Sequence, residues 1–451
     1  VDAELLLTGG IVLPSASAPP IRDGAVAIAD GRIVDMGPSG DVAARVNARR
    51  VLDCSGQVVM PGLIDCHIHT CQQMGRGLAD DVDVLTWLTR IVALESLMTE
   101  DDVNASVRGA TLEMIKGGTT GFIEAAGNPL YYDAMGDAIV ESGLRAVMTR
   151  STMELKEPDW KAPDPFVMDA ETNLRATTDL IERWNGREGG RISAWAGWRQ
   201  QWNLSDELLV AILRVARENG VGLHGHLSTR RFGQLEHLDR LGVLGPDLVF
   251  AHAIKFTARD RALLKNYGVS VVHNVGTSMH CGYGSSVLGC FPEMVAEGIN
   301  VTLGCDGAAA CNTLDMVQQM RLVATLHKEV RSDPSLISPQ EAFQMATRNG
   351  ARAAHWDDVG ELKTGNQADI ITVDFRQPHM QPAPRALNNV VYCASGQDVL
   401  TTIVAGRVLM ENRKVLAFDE GSVLAELETR SEALTGRIAD RFPGLVPTAA
   451  A

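Results

Sequence analysis

The segment that decides the fold reads Met60-Pro61-Gly62-Leu63-Ile64-Asp65-Cys66-His67-Ile68-His69-Thr70. An apolar, strand-like run ends in two histidines one residue apart. Residues i and i+2 of a strand point to the same face, so both imidazoles can reach one metal ion. Imidazole suits zinc or iron.

Three later segments end in the same way. Val221-Gly222-Leu223-His224-Gly225-His226 and Leu248-Val249-Phe250-Ala251-His252 are apolar runs that finish in histidine. Val301-Thr302-Leu303-Gly304-Cys305-Asp306-Gly307 finishes in an aspartate. Each follows a helix-like stretch and precedes glycine or polar residues. The carboxyl ends of barrel strands have this pattern, and that face carries the active site in (β/α)8 enzymes. Three histidines and one aspartate could hold a divalent ion and leave a position open for water.

Working outward, strands are expected near 62–67, 119–124, 145–149, 192–197, 222–226, 248–252, 270–273 and 300–305, which is the number a closed barrel needs. Helical patterns fill the gaps, such as 206–219 with Ser205 as N-cap and Gly220 as a stop. The first sixty residues read instead as short strands, at 4–7, 12–13, 24–28, 32–36 and 50–53, with a hairpin turn at Asp30-Gly31. Strand patterns return at 368–374, 399–408 and 413–416, and 419–442 reads as one or two amphipathic helices. The expected organisation is α/β: a distorted (β/α)8 barrel over 59–364, a small β-sandwich from residues 1–58 plus 365–420, and C-terminal helices over 421–451.

Composition narrows the function. The chain has 451 residues, 45% of them hydrophobic, enough for a large core. A formal net charge of −15 argues against nucleic acid or an anionic membrane as partner. Eight cysteines are scattered without a CxxC pair, as in a reduced cytosolic protein. No apolar run reaches transmembrane length, and no secretory signal opens the sequence.

These residues resemble the amidohydrolase superfamily, in particular the branch of triazine hydrolases (chlorohydrolases) and S-adenosylhomocysteine or adenosine-type deaminases. The resemblance spans nearly the whole chain. It rests on Pro61 to His69, Arg76-Gly77-Leu78-Ala79-Asp80-Asp81 with Trp87-Leu88, and Gly117-Gly118-Thr119-Thr120. It continues through Ala251-His252-Ala253, His273-Asn274, Leu303 to Ala308, and Gln367-Ala368-Asp369-Ile370. It implies His67, His69, His226 and Asp306 around one divalent ion, zinc first, with iron or manganese also accepted. It implies His252 and Asp306 as the catalytic pair, a small-molecule substrate, and a homo-oligomer. Binuclear relatives carry a bridging lysine at an early strand end. No lysine stands there, so one metal is expected.

Two departures shape the expected chemistry. Deaminase relatives have a glutamate three residues after the third metal histidine, which protonates the ring nitrogen. Here that position is Thr229, which cannot act as an acid near neutral pH, and such help is typically worth about 10²–10⁴-fold. Glu124 and His280 are candidate replacements. At the fourth strand end, relatives often have a substrate-binding histidine, whereas this chain reads Trp198-Arg199-Gln200-Gln201-Trp202. Trp198 or Trp202 could stack on a flat ring, and Arg199, Arg230 or Arg231 could pair with a carboxylate. Trp87 and His273 are further candidates for the pocket wall. His224 competes with His226 as ligand, and the family pattern favours the second.

The expected function is therefore hydrolytic displacement of an amino or other group from a carbon of a small N-heterocycle. The alternatives are hydrolysis of a cyclic amide, imide or related acyl bond, which needs no ring protonation, and a non-catalytic barrel.

Overall fold

A computed structural model describes residues 1–125, 127–156 and 165–445. Residues 446–451 of the expected C-terminal helical segment lie outside the described residues. Eight strands, Leu63–Ile68, Thr119–Glu124, Arg145–Thr149, Ile192–Gln200, Leu223–Leu227, Leu248–His252, Ser270–His273 and Val301–Leu303, form the barrel. They pair in parallel with their chain neighbours from first to last. All but Ile192–Gln200 are buried along their whole length, which is why they read as near-continuous apolar runs rather than alternating ones.

The circle closes thinly. Between the first and last strands there is one bridge, Ile68 to Asp306, in which the Asp306 amide donates to the His67 carbonyl at 2.8 Å. Asp65 supports this seam from inside. Its Oδ1 accepts from the amides of His67 at 3.2 Å and Cys305 at 3.1 Å. Burial pushes the Asp65 carboxyl up to about 7.

The helices start and stop where the sequence provides for it. Asp206–Glu218 begins at Ser205, whose hydroxyl accepts from the Leu208 amide. Glu100–Gly117 begins with a capping box between Thr99 and Asp102 and ends at Gly118 in the left-handed region. The C-terminal segment is one helix, Glu420–Arg441. Its Leu427 packs against Gly109 of the Glu100–Gly117 helix.

Both chain ends build a second, nine-stranded layer. Gln57–Pro61 from the N-terminal part pairs antiparallel with Ile370–Asp374 from the C-terminal part. Leu5, Leu7, Val26, Ile28, Val59, Ile370 and Ile403 form one shared core. The Asp30-Gly31 turn is present, and Gly31 is required there: a Cβ would stand 2.8 Å from the Ala405 carbonyl. Three details differ from the sequence reading. Segment 4–7 and Val12 belong to one strand, Asp2–Val12, whose pairing shifts at Gly10, and Leu13 lies just beyond it. Segment 399–408 is a hairpin, Val399–Val404 with Arg407–Glu411, because Ala405 and Gly406 both take positive φ. Gln57–Pro61 is an additional strand. Among the described residues no helix is long and apolar enough to cross a membrane.

Candidate metal centre

Four side chains converge at the carboxyl end of the barrel. One ligand atom each from His67, His69, His226 and Asp306 lies within 4.8 Å of the others. His69 Nε2 is 3.2 Å from His226 Nε2. Asp306 Oδ1 is 3.3 Å from His69 Nε2 and 3.5 Å from His67 Nε2. His252 stands beside the group, its Nε2 3.9 Å from Asp306 Oδ2. All five are buried. Burial pushes His69 down to about 4 and holds His67 and His226 well below the usual histidine value. The imidazoles are therefore neutral at neutral pH, the form that donates a lone pair to a metal. His67 Nε2 has no hydrogen-bond partner among the described residues, although it is fully buried and points at the carboxylate. The donor set fits a divalent ion such as zinc.

The backbone bends to achieve this. Ser228, His252 and Asp306 leave their strands with φ of 53°, 71° and 66°. Such conformations cost about 1–3 kcal/mol each and collect at functional sites. Gly225 lets the fourth and fifth strands close up, since a Cβ there would meet the Trp198 indole at 2.3 Å.

A cavity opens above the cluster, lined in part by His69, His226, His252 and Asp306, with Trp87, Trp202, Thr229 and Arg230 on its walls. Thr229 occupies the wall next to the cluster, its hydroxyl unpartnered among the described residues. Trp87 is held by its indole N–H, which donates to the Ala309 carbonyl at 2.9 Å. Arg231 lies over the Trp202 ring at 4.3 Å. Arg230 is exposed at the rim.

Several expected residues serve elsewhere. Trp198 backs the site: its indole N–H donates to the His226 carbonyl at 3.0 Å and its ring stacks on Phe250. Arg199 does reach the cavity, but its Nη1 donates to Glu95 Oε2 at 2.6 Å and to the Gly127 carbonyl at 2.9 Å. Its charge is therefore already paired with a buried carboxylate of the protein. Glu124 turns away from the cavity and accepts from the Thr70 amide at 3.0 Å. His273 stacks on Phe291 at 3.7 Å and bonds to His327, Nε2 to Nε2, at 3.0 Å, so it is a core residue. His280 pairs with Asp80 at 3.0 Å, outside the cavity. Asp83 caps the Val84–Leu97 helix.

The sequence reading missed Gln72 and Tyr283, both on the cavity wall. Gln72 Nε2 donates to Glu95 Oε1 at 2.8 Å. The Tyr283 ring meets His252 edge-on at 5.8 Å. Among the described residues that line the cavity, Asp306 is the one carboxylate.

A parallel barrel with three histidines and an aspartate gathered at its strand ends is the build of a metal-dependent hydrolase. The chain belongs to the amidohydrolase family, whose model matches residues 58–409. It is 34% identical over 449 residues to a 5′-deoxyadenosine deaminase of Methanosarcina mazei, covering 97% of this chain and 99% of that protein. It is 36% identical over 436 residues to a 5-methylthioadenosine/S-adenosylhomocysteine deaminase of Syntrophobacter fumaroxidans, covering 94% and 96%. Among solved structures it is similar to an adenosine deaminase from Xanthomonas campestris with bound zinc. The TM-score is 0.87 at 25% identity, over 97% of this chain and 99% of that one.

Proposed function

We propose that this chain is a mononuclear zinc aminohydrolase that releases ammonia from a ring carbon of a small N-heterocycle, with adenine-type nucleosides as the first class to test. The observation that carries this reading is the convergence of His67, His69, His226 and Asp306 at the strand ends, with His252 3.9 Å from the aspartate. The relatives named as adenosine-type deaminases support the substrate class, and the zinc-bound neighbour supports the metal. Iron and manganese accept the same donors.

When bound at this cluster, zinc supplies Lewis acidity that brings the pKa of water down to roughly 7. Asp306 is placed to take the proton of the attacking water and pass it to the departing amine. His252, neutral and beside it, is placed to hold the water and to steady negative charge developing on the substrate. Trp87 and Trp202 supply flat apolar walls for a ring.

Thr229 favours a second reading. With no glutamate at this position and Asp306 the one carboxylate on the described wall, a ring nitrogen has no separate acid to protonate it. A cyclic amide or imide would need none, because its carbonyl oxygen is the atom to be polarised.

Ammonia release by the metal-loaded protein, against a chelated control, decides between them. The panel is adenine nucleosides, aminopyrimidines, pterins and triazines. Metal-dependent ammonia supports the first reading. Ring opening of cyclic amides without ammonia, followed as acid production, overturns it in favour of the second. The small-molecule substrate, cytosolic location and homo-oligomeric state belong to the same proposal. Eight thiols outside any disulfide support the location, and sedimentation velocity tests the assembly.

A further inference from the structure

His224 stands two residues before His226 on the fifth barrel strand and is fully enclosed. It is outside the four-atom cluster, but it touches that cluster from behind. His224 Nε2 lies 2.7 Å from His67 Nδ1, and His224 Nδ1 lies 2.9 Å from the carbonyl oxygen of Val249.

These two contacts fix where the protons are. A backbone carbonyl can only accept, so His224 Nδ1 must carry the proton and donate it to Val249. In a neutral imidazole that leaves His224 Nε2 as an acceptor. His67 Nδ1 must then carry its own proton and donate it to His224. What remains on His67 is Nε2, deprotonated, unpartnered and facing Asp306 at 3.5 Å. The chain Val249 carbonyl, His224, His67 thus dictates one tautomer from the neighbouring strand inward. The same ordering is absent from the other rings of the cluster: His69 Nδ1 and His226 Nδ1 have no hydrogen-bond partner among the described residues.

We propose that His224 is a positioning residue, which holds His67 in the tautomer and ring orientation that present Nε2 to the metal. The proposal rests on the reading of His67 as a ligand. Partners behind a metal histidine set its tautomer and basicity, and their loss typically costs about 10–100-fold in metal affinity. In most such cases the partner is a carboxylate, a carbonyl or water. Here a neutral imidazole relays the carbonyl one ring further, which places a directed acceptor in the barrel interior without adding a buried charge.

Two substitutions separate hydrogen bonding from packing. His224→Gln can still accept from His67 through its amide oxygen and donate to Val249 through its amide nitrogen. His224→Phe fills the space but offers no acceptor. Zinc affinity is measured by chelator competition on the full-length protein, with circular dichroism as the check on folding. The expected result is a zinc dissociation constant raised about 10–100-fold in His224→Phe and much less in His224→Gln. Equal losses in both variants, or wild-type affinity in a folded His224→Phe, overturn the proposal. His67→Ala is the control for the reading beneath it: unchanged zinc affinity there sinks the ligand assignment itself. If His224→Phe does not fold, nitrogen-15 NMR of the wild-type imidazoles reads the tautomers directly. Protons on Nδ1 of both His67 and His224 support the relay, and a proton on His67 Nε2 in the metal-free protein overturns it.

Discussion

Asp306 and His252 face each other across the barrel mouth, Oδ2 to Nε2 at 3.9 Å, and both do so from left-handed backbone. The aspartate belongs to the metal cluster and the histidine stands outside it, so their losses should differ in kind. His252→Asn is expected to keep the metal and lower kcat by about 10²–10³, the usual cost of one preorganised group at the reacting centre. Asp306→Ala is expected to lower both kcat and metal content. Metal analysis of the two purified variants beside their kinetics checks the distinction.

Thr229 gives the second prediction. If the site is organised for chemistry without a ring acid, Thr229→Glu does not increase turnover of the native substrate. A new carboxylate would also share a small enclosed space with Asp306, and like charges resist ionising together. A large gain in ammonia release by this variant would instead mean that the chain is a deaminase impaired at one position.

The buried pair of Arg199 and Glu95 gives the third. The two side chains are 5% and 0% exposed and meet at 2.6 Å. Removing one partner leaves an uncompensated buried charge, which costs about 3–5 kcal/mol. Arg199→Met is expected to lower unfolding free energy by that amount in urea titrations. It is also expected to loosen Gln72, whose amide hangs from the same carboxylate. A variant of wild-type stability that has lost only substrate affinity would show that Arg199 binds substrate after all.

The histidine pair away from the site gives the fourth. Burial pushes His327 down to about 4 and His273 well below the ordinary 6.5. As pH falls below 6.5 the unfolded chain takes up protons at these positions before the folded one does. Their contribution to stability is therefore complete above pH 6.5 and is lost as pH falls toward about 4. Each such group adds a slope of about 1.4 kcal/mol per pH unit. His327→Gln keeps a partner for His273 and removes one titrating group, so unfolding free energies from urea titrations across this window should show a pH slope smaller by about that amount.

The fold was legible because a fully buried parallel strand declares itself as an unbroken apolar run, and eight such runs occur in the right order. The cluster was legible for a related reason. His67, His69, His226 and Asp306 sit at the exits of those runs, where a parallel barrel gathers its side chains. Direction was not legible. Glu124 and His280 lie near strand exits in sequence, but one turns to the Thr70 amide and the other to Asp80. Pairings over long separations were also out of reach. Arg199 looked available for a substrate because Glu95, 104 positions earlier, gives no local sign of meeting it. Tyr283 and Gln72 come from irregular loop and short-helix segments whose course no periodicity predicts. In the terminal layer, the division of 399–408 into a hairpin depended on two left-handed residues, Ala405 and Gly406, and alanine is no signal for such a turn.

The barrel seam has a mechanical side. Seven of the strand junctions are ladders of several paired residues, while the backbone pairing of the eighth is the single bridge between Ile68 and Asp306, backed by Asp65. His67 and His69 hang from one lip of that gap and Asp306 from the other. An ion gripped by all three would therefore act as a clasp, fastening the first strand to the last at the place where the backbone does so least. Loading the site would then reinforce this seam, and emptying it would leave the junction to the one backbone bridge and the Asp65 carboxylate behind it.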